Sequence, residues 1–349
     1  DLVGNPGQWS TRKVDLVGVA DKFPLDPEPE YVDINANNIA AVTMQENNHI
    51  VLVNLQNGTV IGDFPAGAVN LNRVDTNEND LIELQDRLTN VPREPDGLVW
   101  INPDLFATAD EGDLDGGSRG FSIFDTSGNV GFTSGNRNDH ITVRLGHYPE
   151  NRSENKGNEP ENVEYARFGS SGQFLFVGSE RSSLVFVYRL QHGNKPQLHQ
   201  VLPAGLGPEG LKAIPGRDLF VAASEQDSRD DKFRSALTIY KLKNTRRYPT
   251  LQSAYRADGT PIPWGALSAL AYSHGHDGIY SVYDSFYRKS RIFRIEAPER
   301  HGRITDEIVL IDASDVLKNT HSVEFVEDEL TRRINLGDLV NEDNTVNLD

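Results

Sequence analysis

Apolar and polar residues alternate along most of this chain in short runs, and turns rich in Gly, Asn and Asp separate the runs. An alternation with a period of two predicts β-strands with one buried face, as in the run HIVLVNL that starts at His49. Helical periodicity is scarce, and we expect a short helix only at residues 79–88 and one or two turns at 312–318. The pattern predicts an all-β protein.

A longer pattern repeats four times: an acidic residue beside Pro opens each unit, and a Glu closes it one hairpin later. A hairpin returns the chain to the edge from which it started, so the opening and closing residues of a unit should share one end. The pairs of openers and closers are Glu30 and Glu46, Asp96 and Glu111, Glu161 and Glu180, and Glu209 and Glu225.

Third and fourth strand patterns follow the repeated hairpins, and four-stranded units at such spacing predict a β-propeller. Over residues 29–349 we expect blades that begin near residues 29, 94, 159, 207 and 263. Residues 1–28 form an N-terminal segment, in which a strand at 12–20 is expected to close the ring. The last part looks incomplete, so we expect the remaining C-terminal part of the same polypeptide to complete the propeller.

Composition narrows the classes of partner. The formal net charge of -18 predicts repulsion from nucleic acid and anionic membranes and attraction to cations. The chain has no Cys, so disulfides do not contribute to its stability. It also lacks an apolar run of the roughly 18 to 20 residues that span a bilayer. An extracellular, periplasmic or cell-surface protein whose signal peptide has been removed fits this sequence best.

One loop has the alternation of acidic residues that calcium sites favour. Glu111, Asp113 and Asp115 stand at every second position, and Gly116 follows where the loop must turn. Ca²⁺ binds six to eight oxygen ligands, and the first half of an EF-hand loop supplies them with this spacing. We therefore predict that the three acidic residues bind Ca²⁺, with a solvated acidic turn as the alternative.

The openers and closers form a second constellation, because carboxylates gathered at one end of a sheet must protonate, bind cations or pair with basic residues. Arg119 and Arg181 follow two of the closing residues and are candidate partners. Such Glu and Arg pairs are suited to gripping the oxygens of a phosphate group. The alternative is that they fix the packing of one blade on the next.

Three segments carry a family resemblance: PEYVDINANNIAAVTMQE from Pro29, the phrase ADEGD followed by GSRGFSIFD, and ENVEYARFGSSGQFLFVGSERSSLVFVYRL from Glu161. They resemble the choice-of-anchor I family of exported bacterial β-propellers, which is similar to mesenchyme-type cell-surface glycoproteins and to phytase-like esterases. The acidic insertion that this family has after EGD is trimmed here to Leu-Asp-Gly-Gly.

The resemblance implies a secreted, calcium-dependent phosphoester hydrolase of phytase-like or alkaline-phosphatase-like type that acts on a phosphorylated small molecule. Its expected site has three groups: catalytic Glu161, Glu180 and Glu225; substrate-binding Arg119 and Arg181; and metal-binding Glu111, Asp113 and Asp115. No residue is an unmistakable nucleophile. The alternative is therefore a non-catalytic, calcium-binding cell-surface or adhesion propeller that binds a surface ligand.

Overall fold

The computed structural model describes residues 4–191, 195–228, 233–245, 250–273, 275, 278–284, 286–296, 301–320, 323–327, 330–334 and 336–347. The chain forms two compact units. The first consists of Asp1–Asn72, Arg87–Asn138 and Asn155–Leu242, and the second of Arg73–Asp86, Asp139–Glu154 and Lys243–Asp349.

Four antiparallel sheets of three or four strands each form most of the described part of the first unit. The first sheet contains β1 (Pro29–Ile34), β2 (Ile39–Met44), β3 (His49–Asn54) and β4 (Thr59–Pro65). After the paired strands β5 (Ala68–Val74) and β6 (Asp86–Pro92), the second contains β7 (Pro95–Asn102), β8 (Leu105–Asp110), β9 (Gly120–Asp125) and β10 (Val130–Thr133). The third contains β11 (Pro160–Arg167), β12 (Gln173–Ser179), β13 (Leu184–Leu190) and β14 (Pro196–Pro203), and the fourth β15 (Pro208–Ile214), β16 (Leu219–Ser224) and β17 (Ala236–Lys241).

The first strands of these sheets lie side by side: β1 is next to β7, β7 next to β11, and β11 next to β15. Each sheet then runs outward in chain order, which is the arrangement of propeller blades. The prediction of an all-β propeller built from four-stranded blades is confirmed, and the fourth sheet of this unit has three strands.

Strand register puts the openers and closers at one end of each blade. The first residues of the inner strands pair with the last residues of the second strands: Pro29 with Met44, Pro95 with Asp110, Pro160 with Ser179, and Pro208 with Ser224. The residue after each second strand therefore occupies an equivalent position. In the first blade this residue is Gln45, not Glu46, so the predicted repeat is displaced there by one residue.

Aromatic side chains fill the space between successive blades of this unit. The ring of Phe106 stacks on Phe124 at 5.7 Å and on Phe64 of the preceding blade at 6.4 Å. Phe121 and Tyr188 join the second and third blades at 4.7 Å, and Phe176 and Phe220 join the third and fourth at 4.0 Å. These contacts bury large apolar surfaces and fix the spacing of the blades.

The N-terminal segment does not contain the expected strand. Among the described residues 4–28 the only regular element is a 3₁₀ turn at Pro6–Gln8. Val14, Leu16 and Val19 instead pack on a buried cluster of the first blade that includes Val51. Their apolar pattern thus reflects side-chain packing on a blade, and β-pairing does not follow from it.

The second unit has a five-stranded sheet in the order β18, β22, β21, β20, β19, with only β18 parallel to its neighbour β22. The bounds are β18 (Thr250–Ser253), β19 (Leu267–Ser273), β20 (Gly278–Tyr283), β21 (Arg291–Glu296) and β22 (His301–Val309), followed by the pair β23 (Val323–Glu327) and β24 (Leu330–Ile334).

Helix α1 covers Arg137–Leu145, and 3₁₀ turns lie at Glu150–Arg152, Gly169–Ser171, Pro215–Arg217 and Leu336–Leu339. In the part of the chain that the structure describes, no helix has the length and apolar character needed to cross a bilayer.

The helix predicted at 79–88 is wrong, and side-chain carboxylates accept hydrogen bonds from the backbone of this segment. The N–H groups of Asn79 and Asp80 both donate to Glu150, at 2.6 and 2.8 Å, and that of Glu83 donates to Asp75 at 2.9 Å. These bonds hold the segment in turns until β6 begins. Residues 312–318 also form turns in place of the expected helical turns.

Phe106 should be a large contributor to stability, because its ring is fully buried and contacts Phe64, Phe124 and Trp100. We expect Phe106→Ala to lower the free energy of unfolding by about 3 to 5 kcal/mol. Ile61→Ala, at a side chain that is 53% exposed, should change it by less than about 0.5 kcal/mol. Urea denaturation measures both changes, and equal effects would contradict this account of the core.

Candidate functional site

The inner strands of blades two to four each begin at a proline that follows a residue of positive φ. The residue that precedes the proline has a positive φ in each blade: 43° at Glu94, 46° at Glu159 and 67° at Gly207. Glycine adopts this left-handed region freely, whereas another residue pays roughly 1 to 3 kcal/mol. Both glutamates are fully buried, and each meets a cation: Lys22 lies 3.1 Å from Glu94, and Arg181 lies 2.7 Å from Glu159. Burial and ion pairing therefore hold the strained backbone in place.

Five carboxyl groups gather beside these strand starts, and we call them the acidic cluster: Asp96, Glu111, Glu159, Glu161 and Glu180. Oxygens of Asp96, Glu111 and Glu161 lie within 4.8 Å of one another, and so do oxygens of Glu159, Glu161 and Glu180. Glu161 belongs to both groups. The opening and closing residues of blades two and three thus meet around one side chain, as their shared strand ends require.

Burial favours the protonated form of three carboxyl groups in the acidic cluster. Burial raises the pKa of Asp96, Glu161 and Glu180 above the usual carboxyl range. Glu161 shares hydrogen bonds with Asp96 and with Glu180, and the nearby charge of Glu111 raises its pKa further. A hydrogen bond between two carboxyl groups needs one proton, so at neutral pH part of the negative charge is neutralised by protons.

Two basic side chains pair with carboxylates of the acidic cluster, and one amide donates a hydrogen bond to it. The Arg181 guanidinium is 2.7 Å from Glu159 and 3.2 Å from Glu180, and 37% of its side chain is exposed. The Lys156 ammonium lies 2.5 Å from Oε1 of Glu111 and also contacts Asp113, while the Gln45 amide donates to Oε2 of Glu111. The edge of the acidic cluster is therefore a network of ion pairs with one exposed guanidinium.

The three acidic residues of the predicted calcium loop pair with two different lysines. Glu111 is buried in the acidic cluster, Asp113 pairs with Lys156, and Asp115 pairs with Lys22 at 2.8 Å. The backbone N–H of Asp115 also donates to Glu94 at 3.0 Å. Two lysines thus bridge the loop to buried glutamates, at positions where the sequence predicts a metal ion.

Two more predicted residues lie apart from the acidic cluster. Glu225 lines a cavity of about 280 Å³ on the fourth blade together with Glu209, whose pKa is raised by burial and by the charge of Glu225. Arg119 is 1% exposed, and its backbone φ is 56°. The side chain of Arg119 lies inside the protein and has no access to solvent in this conformation. The role in substrate binding that the resemblance implies therefore stays a prediction.

Sequence reasoning did not assign Asp96, Glu159, Gln45 or Lys156 to the site. Asp96 was recognisable as an opener, and Glu159 as the residue before the repeated proline. The role of Gln45 depends on a strand register that the Glu at the next position obscures. Lys156 lies on a loop with no repeat, and nothing in the sequence pairs it with Glu111.

A family model described as "Choice-of-anchor I domain" matches residues 6–116 and 115–193. A search of curated protein sequences finds no match.

Several solved structures are similar at low identity. Hydrazine synthase of Kuenenia stuttgartiensis is 11% identical with a TM-score of 0.40, over 87% of this chain and 68% of that one. Virginiamycin B lyase from Staphylococcus aureus is 9% identical with a TM-score of 0.35, over 88% and 84%. A putative 6-phosphogluconolactonase from Bacteroides uniformis is 10% identical with a TM-score of 0.38, over 88% and 74%.

The protons of the acidic cluster predict how stability depends on pH. Because the folded state retains protons that the unfolded chain releases above its ordinary carboxyl pKa, the free energy of unfolding should fall as pH rises from about 5 to about 8 in EDTA. Glu161→Gln removes a titrating group and should flatten this dependence, whereas Asp115→Asn should leave it unchanged. Urea denaturation across this pH range is the measurement, and stability that rises with pH would contradict the protonated cluster.

Proposed function

The chain belongs to the choice-of-anchor I domain family, and from this premise and the acidic cluster we propose a calcium-dependent phosphoester hydrolase on an exported, cell-surface propeller. The family and the blades support a cell-surface propeller. Beyond this, we propose that the protein binds calcium and hydrolyses phosphoesters.

The observation that carries the proposal is the place of Glu161 in two groups of closely spaced carboxyl oxygens. Hard cations such as Ca²⁺ prefer oxygen ligands, and carboxylates are their usual protein donors. Asp96, Glu111 and Glu161 have closely spaced oxygens and supply only oxygen ligands, so these residues fit a calcium ion. Protons now neutralise part of this charge, and a divalent cation supplies the same neutralisation when they dissociate.

A bound divalent cation would polarise a phosphoryl oxygen and lower the pKa of a bound water. The residues of this chain contribute position and charge. Arg181, fixed by Glu159 and Glu180 and partly exposed, is placed to hold phosphoryl oxygens at the edge of the acidic cluster. Glu180, with a raised pKa, is suited to accept or donate a proton near neutral pH.

A non-catalytic, calcium-binding surface propeller is the second candidate. It is favoured by the ion pairs that already engage Arg181 and Lys156 with the acidic cluster, because paired cations stabilise packing and are less available to a substrate. The burial of Arg119 favours it too, since this leaves Arg181 as the one predicted substrate arginine with an exposed side chain.

Calcium should stabilise the protein through Glu161. At a hundredfold excess over Kd, binding adds about 2.7 kcal/mol to the free energy of unfolding. Glu161→Gln mimics the protonated side chain, so its melting temperature in EDTA should equal that of the wild type, and the calcium-dependent increase should disappear. Asp115→Asn, which alters the Lys22 pair at the surface, should keep the increase. Scanning calorimetry with Ca²⁺ and with EDTA tests this, and loss of the increase in Asp115→Asn alone would place the ion on the loop.

Phosphoester hydrolysis should depend on Ca²⁺ and on Arg181. We expect turnover of p-nitrophenyl phosphate, bis-p-nitrophenyl phosphate or inositol hexakisphosphate in Ca²⁺ and none in EDTA. Arg181→Lys keeps the charge beside Glu159 but loses the planar fork, so kcat/KM should fall by at least about tenfold while calcium binding is retained. Calcium binding by calorimetry without turnover of any of these substrates would identify the non-catalytic candidate.

A further inference from the structure

We propose that Lys156 is a built-in counter-ion that competes with a divalent cation for Glu111 and thereby sets the cation affinity of the acidic cluster. The inference rests on the proposed binding of Ca²⁺ and assigns a regulating residue to that site. Its motivation is the contact of one ammonium group with both Glu111 and Asp113.

The oxygens of Glu111 are both engaged. Oε1 lies 2.5 Å from the Lys156 ammonium, and Oε2 accepts a hydrogen bond from the Gln45 amide. An ion held between Asp96, Glu111 and Glu161 must therefore displace one of these donors or share an oxygen with it. Gln45 is neutral, whereas Lys156 carries a positive charge that repels a cation at this short range. Lys156 is thus the donor whose departure favours the ion most.

Lys156 is also able to leave. Its side chain is 15% exposed, and its second partner, Asp113, is 36% exposed. The flexible aliphatic stem of a lysine allows the ammonium to follow Asp113 toward solvent when Glu111 takes another cation. Burial lowers the pKa of Lys156, but the hydrogen bonds that it donates to Asp113 and Glu111 and their negative charges raise it by more, so the competing group is an ammonium ion.

Lys22 provides a matched control, because it contacts the same acidic loop through Asp115. It bridges a buried glutamate, Glu94, to an exposed aspartate, Asp115, just as Lys156 bridges Glu111 to Asp113. Glu94 is absent from both groups of closely spaced carboxyl oxygens found among the described residues. Removal of the Lys22 charge therefore disturbs an equivalent bridge without freeing a ligand of the proposed ion.

The test is calcium titration by calorimetry of the whole chain and its variants. Lys156→Met should lower Kd by about tenfold or more, because the ion no longer displaces an ammonium. Lys156→Arg, which keeps the charge, and Lys22→Met should bind within about twofold of the wild type. A Kd for Lys156→Met equal to or higher than that of the wild type overturns the inference while calcium binding stands. No binding by any of the four proteins overturns the proposed function and this inference together.

A second measurement needs no variant. In reductive methylation with formaldehyde and borohydride, followed by mass spectrometry, saturating Ca²⁺ should speed labelling of Lys156, since its ammonium leaves Glu111 for solvent. The labelling rate of Lys22 should not change. Equal labelling of Lys156 with Ca²⁺ and with EDTA, in a protein that calorimetry shows to bind Ca²⁺, contradicts displacement of this lysine.

Discussion

The interaction on which this structure depends is the burial of carboxyl groups at the start of the inner strands. Glu94 and Glu159 are fully buried in a backbone conformation that favours glycine. Each therefore needs a partner that pairs with its charge and stabilises its strained backbone. Lys22 and Arg181 supply it, and the inner strands begin where these pairs form. The carboxyl groups of Asp96 and Glu161 then follow two residues later and meet because β7 and β11 are neighbours.

The blades differ in how they meet this constraint. Blade four has Gly207 at the equivalent position, where a positive φ carries no strain. No buried carboxylate is present there, and the opener and closer of this blade, Glu209 and Glu225, are exposed. Blade one has Gln45 at the closing position, and its amide donates a hydrogen bond to Glu111 of the next blade. Negative charge is therefore concentrated where blades two and three meet. The sites of protonation and of proposed cation binding follow from this distribution.

Much of the fold was predictable because period-two alternation and the acidic residue beside proline are local signals. The shared end of openers and closers also follows from hairpin geometry alone. What the sequence could not supply depends on contacts between distant segments: Lys156 with Glu111, and Lys22 with Glu94. Helix α1 was missed because its sequence, RNDHITVRL, contains β-branched residues and few good helix formers. The apolar residues of segment 12–20 suggested a strand, although they serve packing on the first blade.

Two lysines contact the acidic loop, and the calcium site expected from its spacing stays a prediction. Alternating carboxylates converge on one ion only if the backbone curls around it. Here Gly112 and Gly116 have positive φ, and ion pairs hold the loop on both sides. Lys156 and Lys22 reach the loop from other parts of the chain and separate Asp113 from Asp115. Glu111 alone stays with the buried carboxyl groups, because the β7–β8 register fixes it opposite the start of the inner strand. Strand register thus brings the carboxyl groups of the acidic cluster together. The loop contributes to the cluster only through Lys156, which contacts both Asp113 and Glu111.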